Sequence, residues 1–231
     1  MGRVGNRLQD AKKMIEPSKL YTLEEATKLI ETLPKASFDE SVDLCVNLGV
    51  NPKKAEENIR ATVALPHGRG KKLRVLAFCK GDKVKEAEEA GADYVGAEDL
   101  VEKIKDGWME FDSVVATPDT MALVGRIGKL LGPRGLMPNP KVGTVTPDIA
   151  KAITEIKSGR VEFRVEKAGV VHVGLAMVSF GAEKIKENTS AVLDAIVKAK
   201  PATSKGTYLK SAFLTTTMGP GIALDVSGLK I

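Results

Sequence analysis

The chain has 231 residues and 43% hydrophobic content, enough for one large domain or two small ones with a filled core. Thirty-five Lys and Arg against 30 Asp and Glu leave a formal net charge of +5, which favours a polyanionic partner without naming one. Its longest apolar runs, such as residues 170–178 with His172 and Gly174 inside, fall well short of the roughly 20 residues of a membrane span, so a soluble globular protein is expected.

At the N-terminus, MGRVGNRLQD has no apolar segment, and Asn6 stands where a myristoylation signal needs Ser or Thr. Neither a secretory signal nor a lipid anchor is expected, and the protein should stay in the cytoplasm. Residues 22–33, TLEEATKLIETL, carry a helical apolar period with Thr22 as N-cap and Glu25 completing a capping box. Residues 38–48 then alternate, with Val42, Leu44, Val46 and Leu48 on one face, and ATVAL ends before Pro66, so both read as half-buried strands.

The texture changes at Lys71. KLRVLAFC is a strand, VKEAEEAG a helix closed by Gly91, ADYVG a strand, AEDLVEKIKDG a helix and FDSVVAT a strand. This βαβαβ order predicts a small parallel sheet with helices on both faces. Residues 121–131 and 147–156 read as two further helices, the second with Thr146 as N-cap and Pro147 at its first position. Between them runs LLGPRGLMPNPKVGTVTP, an irregular segment long enough to be either a rigid wrap or a partner contact, with Arg134 and Lys141 as its charges. After Gly159, RVEFRVEK and GVVHVGLA read as a hairpin pair, followed by a helix over about residues 182–199 and the strands YLKSAFLTTT and GIALDVS.

Neither outer segment has enough strands for a stable sheet alone. The predicted fold is therefore an α+β discontinuous domain, split β-α-β-like, built from residues 1–67 and 160–231. An α/β three-layer Rossmann-like domain, residues 68–159, is inserted into it. Glycines at both crossings, PHGRG and KSGR, suit a two-stranded hinge.

No catalytic constellation emerges. HGRGKK lacks GxxxxGK[ST] spacing, and CKGDK has one glycine where a dinucleotide site needs GxGxxG. His67 and His172 lie far in sequence from Cys45 and Cys79, which read as reduced structural thiols, so no cofactor and no metal site is expected. A small-molecule-binding or hydrolytic enzyme using the inserted domain stands as the alternative function. Charge points elsewhere: residues 160–231 hold 10 basic and 6 acidic side chains, and no acid lies between Asp194 and Asp225. Lys198, Lys200, Lys205 and Lys210 fall in that gap together with LTTTMGPGIAL, and an acid-free basic segment attracts phosphates.

Six stretches in this order, LPHGRGK, AGADYVGAEDL, DGWMEFDSVVATPD, LGPRGLMPNPKVGTV, SGRVEFRVEKAGVVH and LTTTMGPG, closely resemble the bacterial L-one family of large ribosomal subunit proteins. The resemblance runs from about Lys12 to Val226. It implies a non-enzymatic, two-domain protein whose discontinuous domain binds large-subunit (23S) rRNA stalk helices in the mobile stalk beside the tRNA exit site. It further implies contact with deacylated tRNA as it leaves, repression through the leader of its own operon mRNA, and a monomer off the ribosome.

By the same resemblance the RNA contacts fall on KASFDE and on the strand and turn of LTTTMGPG. A-form RNA presents a wide minor groove lined with 2′-hydroxyls, which short hydroxyl side chains and close backbone can read. Ser211 and Thr217 are expected to bond sugar or phosphate, with Thr215 on the same strand face, while Thr216 shares the other with Leu214 and Met218. Gly219 lets the backbone come close, and Met218 at the strand end lies against a ribose. Phe38 is expected against a sugar or base and Lys35 at a phosphate. Lys167 and His172 match the family's K-x-G-x-x-H, with Lys167 a candidate contact and His172 read as structural. The chain departs from the family at Ser37, where a lysine is usual, and at Ala176 and Met177, where Gly-Lys is usual, so one or two phosphate contacts are absent or moved.

Overall fold

The computed structural model describes residues 5–204 and 206–227, residue 55 by its backbone alone. Lys205 of the acid-free stretch, and residues 1–4 and 228–231 at the ends of the predicted discontinuous domain, lie outside the described residues. In chain order the helices and strands are α1 (Asn6–Lys13), α2 (Leu23–Thr32), β1 (Ser41–Leu48), β2 (Arg60–Ala64), β3 (Val75–Phe78), α3 (Lys83–Glu89), β4 (Tyr94–Gly96), α4 (Glu98–Lys105), β5 (Ser113–Ala116), α5 (Met121–Arg126), α6 (Gly128–Leu131), α7 (Ile149–Lys157), β6 (Arg160–Arg164), β7 (Val170–Met177), α8 (Ala182–Lys198), β8 (Leu209–Thr216) and β9 (Ile222–Leu224). Contacts divide the chain into two units, Met1–Gly70 with Val161–Ile231, and Lys71–Arg160.

The first unit is organised by β1. Its even-numbered residues Val42, Leu44, Val46 and Leu48 are all at most 2% exposed, the outcome of strict alternation with one face buried. It lies inside an antiparallel sheet of order β7-β1-β8-β9, where Leu44 stands opposite both Val173 and Leu214. Helices α2 and α8 pack on that apolar face. Helix α2 starts where its capping box dictates: Thr22 Oγ1 accepts from Glu25 N at 3.3 Å, and Glu25 Oε2 accepts from Thr22 N at 3.0 Å. Helix α8 buries Ile185, Val192 and Ile196, with Asn188 fully enclosed among them. Asn188 accepts from His67 N at 3.2 Å and donates to Gly68 O at 2.9 Å and Leu175 O at 3.0 Å. A buried amide so satisfied pins residues 67 and 68 to the sheet and the helix together.

The second unit has a parallel sheet of order β4-β3-β5. Alternation in VLAF sorts its two faces. Val75 and Ala77 join α3 and α7 in one apolar cluster, while Leu76 and Phe78 join α4, α5 and α6 in another, so both faces are covered.

Four sequence expectations are corrected. Helix α7 is capped by Asp148, whose side chain accepts from Lys151 N at 3.3 Å, and not by Thr146. Thr144 O and Thr146 N both bond Ala116, which holds residues 144–146 extended beside β5 and delays the helix. Residues 121–131 form two helices that meet at Ile127, where φ −104° and ψ 7° leave the helical region. Strands β6 and β7 do not make a hairpin ladder: beyond one bridge, Val165 to Val171, β6 pairs with β2 and β7 with β1. The Met218 correction concerns the candidate site and follows there.

Asn188→Leu keeps the branched shape of the side chain and removes three hydrogen bonds at once. It should lower the unfolding free energy by about 2 kcal/mol or more, against about 1 kcal/mol for Thr22→Ala at the capping box, both read by urea titration.

Candidate nucleic-acid interface

The end of β8 and the start of β1 lie side by side, with Val42 opposite Thr216. Thr217 N donates to Ser41 O at 3.0 Å, Ser41 N donates to Thr217 Oγ1 at 3.0 Å, and the two hydroxyls are 2.9 Å apart. Beyond Thr216 the chain turns, closed by Gly219 N donating to Thr216 O at 3.1 Å. A Cβ on Gly219 would run into Thr216 Oγ1, so the turn itself requires this glycine. Thr215 Oγ1 donates to Thr216 O at 3.1 Å and braces the same turn.

The two predicted contact segments meet at one carboxylate. Glu40, 4% exposed, accepts from Ala36 N through Oε1 at 2.8 Å and from Met218 N through Oε2 at 3.0 Å. Arg7 on α1 donates to Glu40 Oε1 at 3.2 Å, to Pro34 O at 3.1 Å and to Met218 O at 2.9 Å. Only the width of a carboxyl group therefore separates the backbone before Ser37 and Phe38 from the backbone of Met218. Burial works against the Glu40 charge, but the N–H groups of Met218 and Ala36, the Thr216 hydroxyl and Arg7 outweigh it and hold the carboxyl below its ordinary value of 4.5.

Around this joint the surface is apolar and open. Phe38 is 51% and Met218 53% exposed, and Lys35 and Ser37 are exposed beside them. A cleft of about 300 Å³, lined by Ile30, Leu33, Lys35, Phe38 and Val178 among others, opens next to Glu40. Met218 does not share the buried face of Leu214 and Thr216 as alternation predicts, because β8 ends at Thr216 and the turn rotates the next side chains outward.

The remaining candidates lie along the sheet. Ser211, Phe213 and Thr215 project from the face opposite the helices, opposite Asn47, Cys45 and Asp43 of β1, and Phe213 is 39% exposed. His172, across Cys45 from Phe213, is exposed. Ser211 precedes Thr217 by six residues, about 20 Å of strand. Lys167 is exposed in a turn whose Gly169 O accepts from Leu48 N, at the other end of β1. The structure thus groups Lys35, Ser37, Phe38, Thr215, Thr217, Met218 and Gly219, and leaves Ser211 and Lys167 towards the far end. Lys198, Lys200 and Lys210 also sit at that far end, where β8 begins, Lys200 with its ammonium 6.0 Å from the Tyr208 ring centre.

Glu40 and Arg7 escape sequence reasoning. A signal for Glu40 is present, since it falls in phase with Val42 and Leu44 on the buried side of β1; Arg7 has none. Burial, with a smaller push from Glu166, raises the Cys45 thiol above its ordinary value, which leaves it protonated and unreactive at neutral pH. Among the described residues no group of three or more His, Cys, Asp or Glu is placed to hold a metal ion, and no helix is long and apolar enough to cross a membrane.

Because Glu40 is depressed in the folded state, its contribution to stability is complete above its ordinary value of 4.5 and is lost as pH falls through the lower folded value. Acid titration of stability should therefore be shallower below pH 4.5 for Glu40→Gln than for wild type.

Comparison with known proteins follows the same lines. The model of the "Ribosomal protein L1p/L10e family" matches residues 27–220. "Large ribosomal subunit protein uL1" of Solidesulfovibrio magneticus is 55% identical over 230 residues, covering 100% of this chain and 98% of that protein. A family match over most of the chain, joined to similarity over its full length, settles the assignment: the chain belongs to the ribosomal protein L1p/L10e family.

Proposed function

We propose that the discontinuous domain, residues 1–67 and 160–231, binds helical large-subunit ribosomal RNA and holds it in the mobile stalk beside the tRNA exit site. In this reading residues 68–159 form the inserted domain. The protein assists release of deacylated tRNA, represses translation by binding the leader of its own operon mRNA, and is a cytoplasmic monomer when off the ribosome. The observation that carries the reading is the joining of two short segments, residues 35–38 and 217–219, around one buried carboxylate, with Phe38 and Met218 left in solvent at the seam. The similarity to a large-subunit protein supplies the class of partner.

Each group has a task in this reading. Exposed apolar side chains beside hydroxyls suit a ribose, which offers one apolar face and a 2′-OH. Met218 and Phe38 lie against sugars, Thr217 and Ser37 exchange hydrogen bonds with 2′-hydroxyls or phosphate oxygens, and Lys35 neutralises a phosphate. Thr215 and Gly219 keep the turn in the shape that presents Met218. Ser211 and Lys167, about 20 Å away along the strands, reach the next stretch of backbone and extend the interface along the sheet.

Filter binding of the full chain to a stalk rRNA fragment across salt tests this. Affinity should fall steeply with salt as counterions are released, and absent or salt-independent binding refutes the assignment. Thr217→Ala and Met218→Asp should each weaken binding by about 1 kcal/mol or more with the fold intact; wild-type affinity in both refutes the site. A chain lacking residues 71–160, with Gly70 linked to Val161 through a short Gly-Ser segment, should keep most of the affinity. Loss of binding in such a folded chain would move part of the interface to the second unit.

A further inference from the structure

We propose that Glu40 is the positioning residue of this site: its buried carboxylate sets the distance and angle between the Lys35 to Phe38 segment and the Thr217 to Gly219 turn before RNA arrives. The inference rests on the RNA-binding reading above and names how that site is kept ready.

Its first ground is chemical. Every polar partner that Glu40 meets from the two segments and from α1 is a donor: Ala36 N–H, Met218 N–H and the Arg7 guanidinium. Only an acceptor-only group satisfies all of them, and an ionised carboxylate is that group. A glutamine of the same shape has one acceptor oxygen, and its NH2 must face a donor. The second ground is electrostatic. A buried acid beside a site for polyanions works against binding, so its retention there calls for a compensating role and a counter-charge. Arg7 supplies the counter-charge, and the same guanidinium bonds Pro34 O and Met218 O, so the ion pair closes both segments together.

The third ground is where Glu40 itself is fixed. Its carbonyl accepts from Val178 N at 2.8 Å, and it directly precedes β1. The carboxylate is therefore referenced to the rigid sheet, while the segments it holds are irregular: residues 34–40 have no helix or strand, and the turn lies beyond β8. Ordering such segments in advance removes an entropic cost that binding would otherwise bear.

The test is Glu40→Gln in the full chain, with the stalk fragment as probe. The expected result is a far-ultraviolet spectrum like wild type and RNA affinity reduced at least about tenfold. The slope of log affinity against log salt should stay unchanged, because the number of phosphates contacted is the same. The amide resonances of Ala36 and Met218 should move upfield as they lose the carboxylate. Wild-type affinity with both amides shifted overturns the proposal, since the segments would then be released without consequence for RNA.

If Glu40→Gln does not fold, Arg7→Gln tests the same clamp on a side chain 31% exposed. An affinity loss of several fold with unchanged salt slope and shifted amides supports positioning. A slope reduced by about one identifies Arg7 as a phosphate contact instead and overturns the clamp. Wild-type chain that does not bind the fragment at all refutes the RNA-binding reading itself, a failure distinct from wild-type binding that Glu40→Gln leaves intact.

Discussion

A carboxylate taken out of water needs donors for its oxygens, and in this protein Glu40 finds them in the Thr216 hydroxyl of β8 and in three further groups far from one another along the chain. Ala36 N–H comes from the loop after α2, Met218 N–H from the turn after β8, and Arg7 from α1. No pair among these would meet by local propensity. Met218 is delivered by the sheet: β1 runs between β7 and β8, so its entry lies beside the exit of β8, and the Ser41 to Thr217 bonds lock that neighbourhood. The need to satisfy one buried charge then decides how the irregular segments on either side must run.

The same constraint explains why the site is polar at its root and apolar at its surface. The peptide N–H groups of Ala36 and Met218 point inward to the carboxylate, which turns the Phe38 and Met218 side chains towards solvent, where both remain about half exposed. An exposed Phe and an exposed Met on segments held by one carboxylate would be a liability on a face with no partner. Phe38 lines the cleft beside Glu40 with Lys35, and in the proposed function this exposed apolar and polar surface is what meets ribose. Gly219 contributes within the protein before any ligand is considered, since its missing Cβ makes room for Thr216 Oγ1, which in turn bonds Glu40.

Much of the fold is legible in one dimension because it follows from period and caps. Val42, Leu44, Val46 and Leu48 announce a one-sided strand, Thr22 and Glu25 announce a helix start, and VLAF announces a strand buried on both faces. What failed did so where a tertiary bond outranked a local signal. Thr146 looks like a cap, yet residues 144–146 are drawn to Ala116, and Asp148 caps the helix instead. RVEFRV and VVHVGL look like a hairpin, yet beyond the Val165 to Val171 bridge β6 pairs with β2, while β7, at the edge of its own sheet, pairs with β1. At the candidate site, residue types at Phe38, Thr217 and Met218 were readable, but the geometry that groups them was not, because it depends on register between strands 170 residues apart.

Glu40 shows the limit most sharply. Counting charges along the chain makes LTTTMGPGIAL part of the longest acid-free stretch, a basic segment expected to attract phosphates. In three dimensions the turn sits directly on a carboxylate, while the lysines of that stretch that are described lie at the opposite end of β8. Linear charge counts average over exactly the distance that matters, since a strand of eight residues carries its two ends about 26 Å apart, beyond the screening length at physiological salt. Position in the alternation was the better guide: an acid in phase with Val42 and Leu44 must be buried, a buried acid must be bonded, and its donors are the backbone of the segments that shape the site.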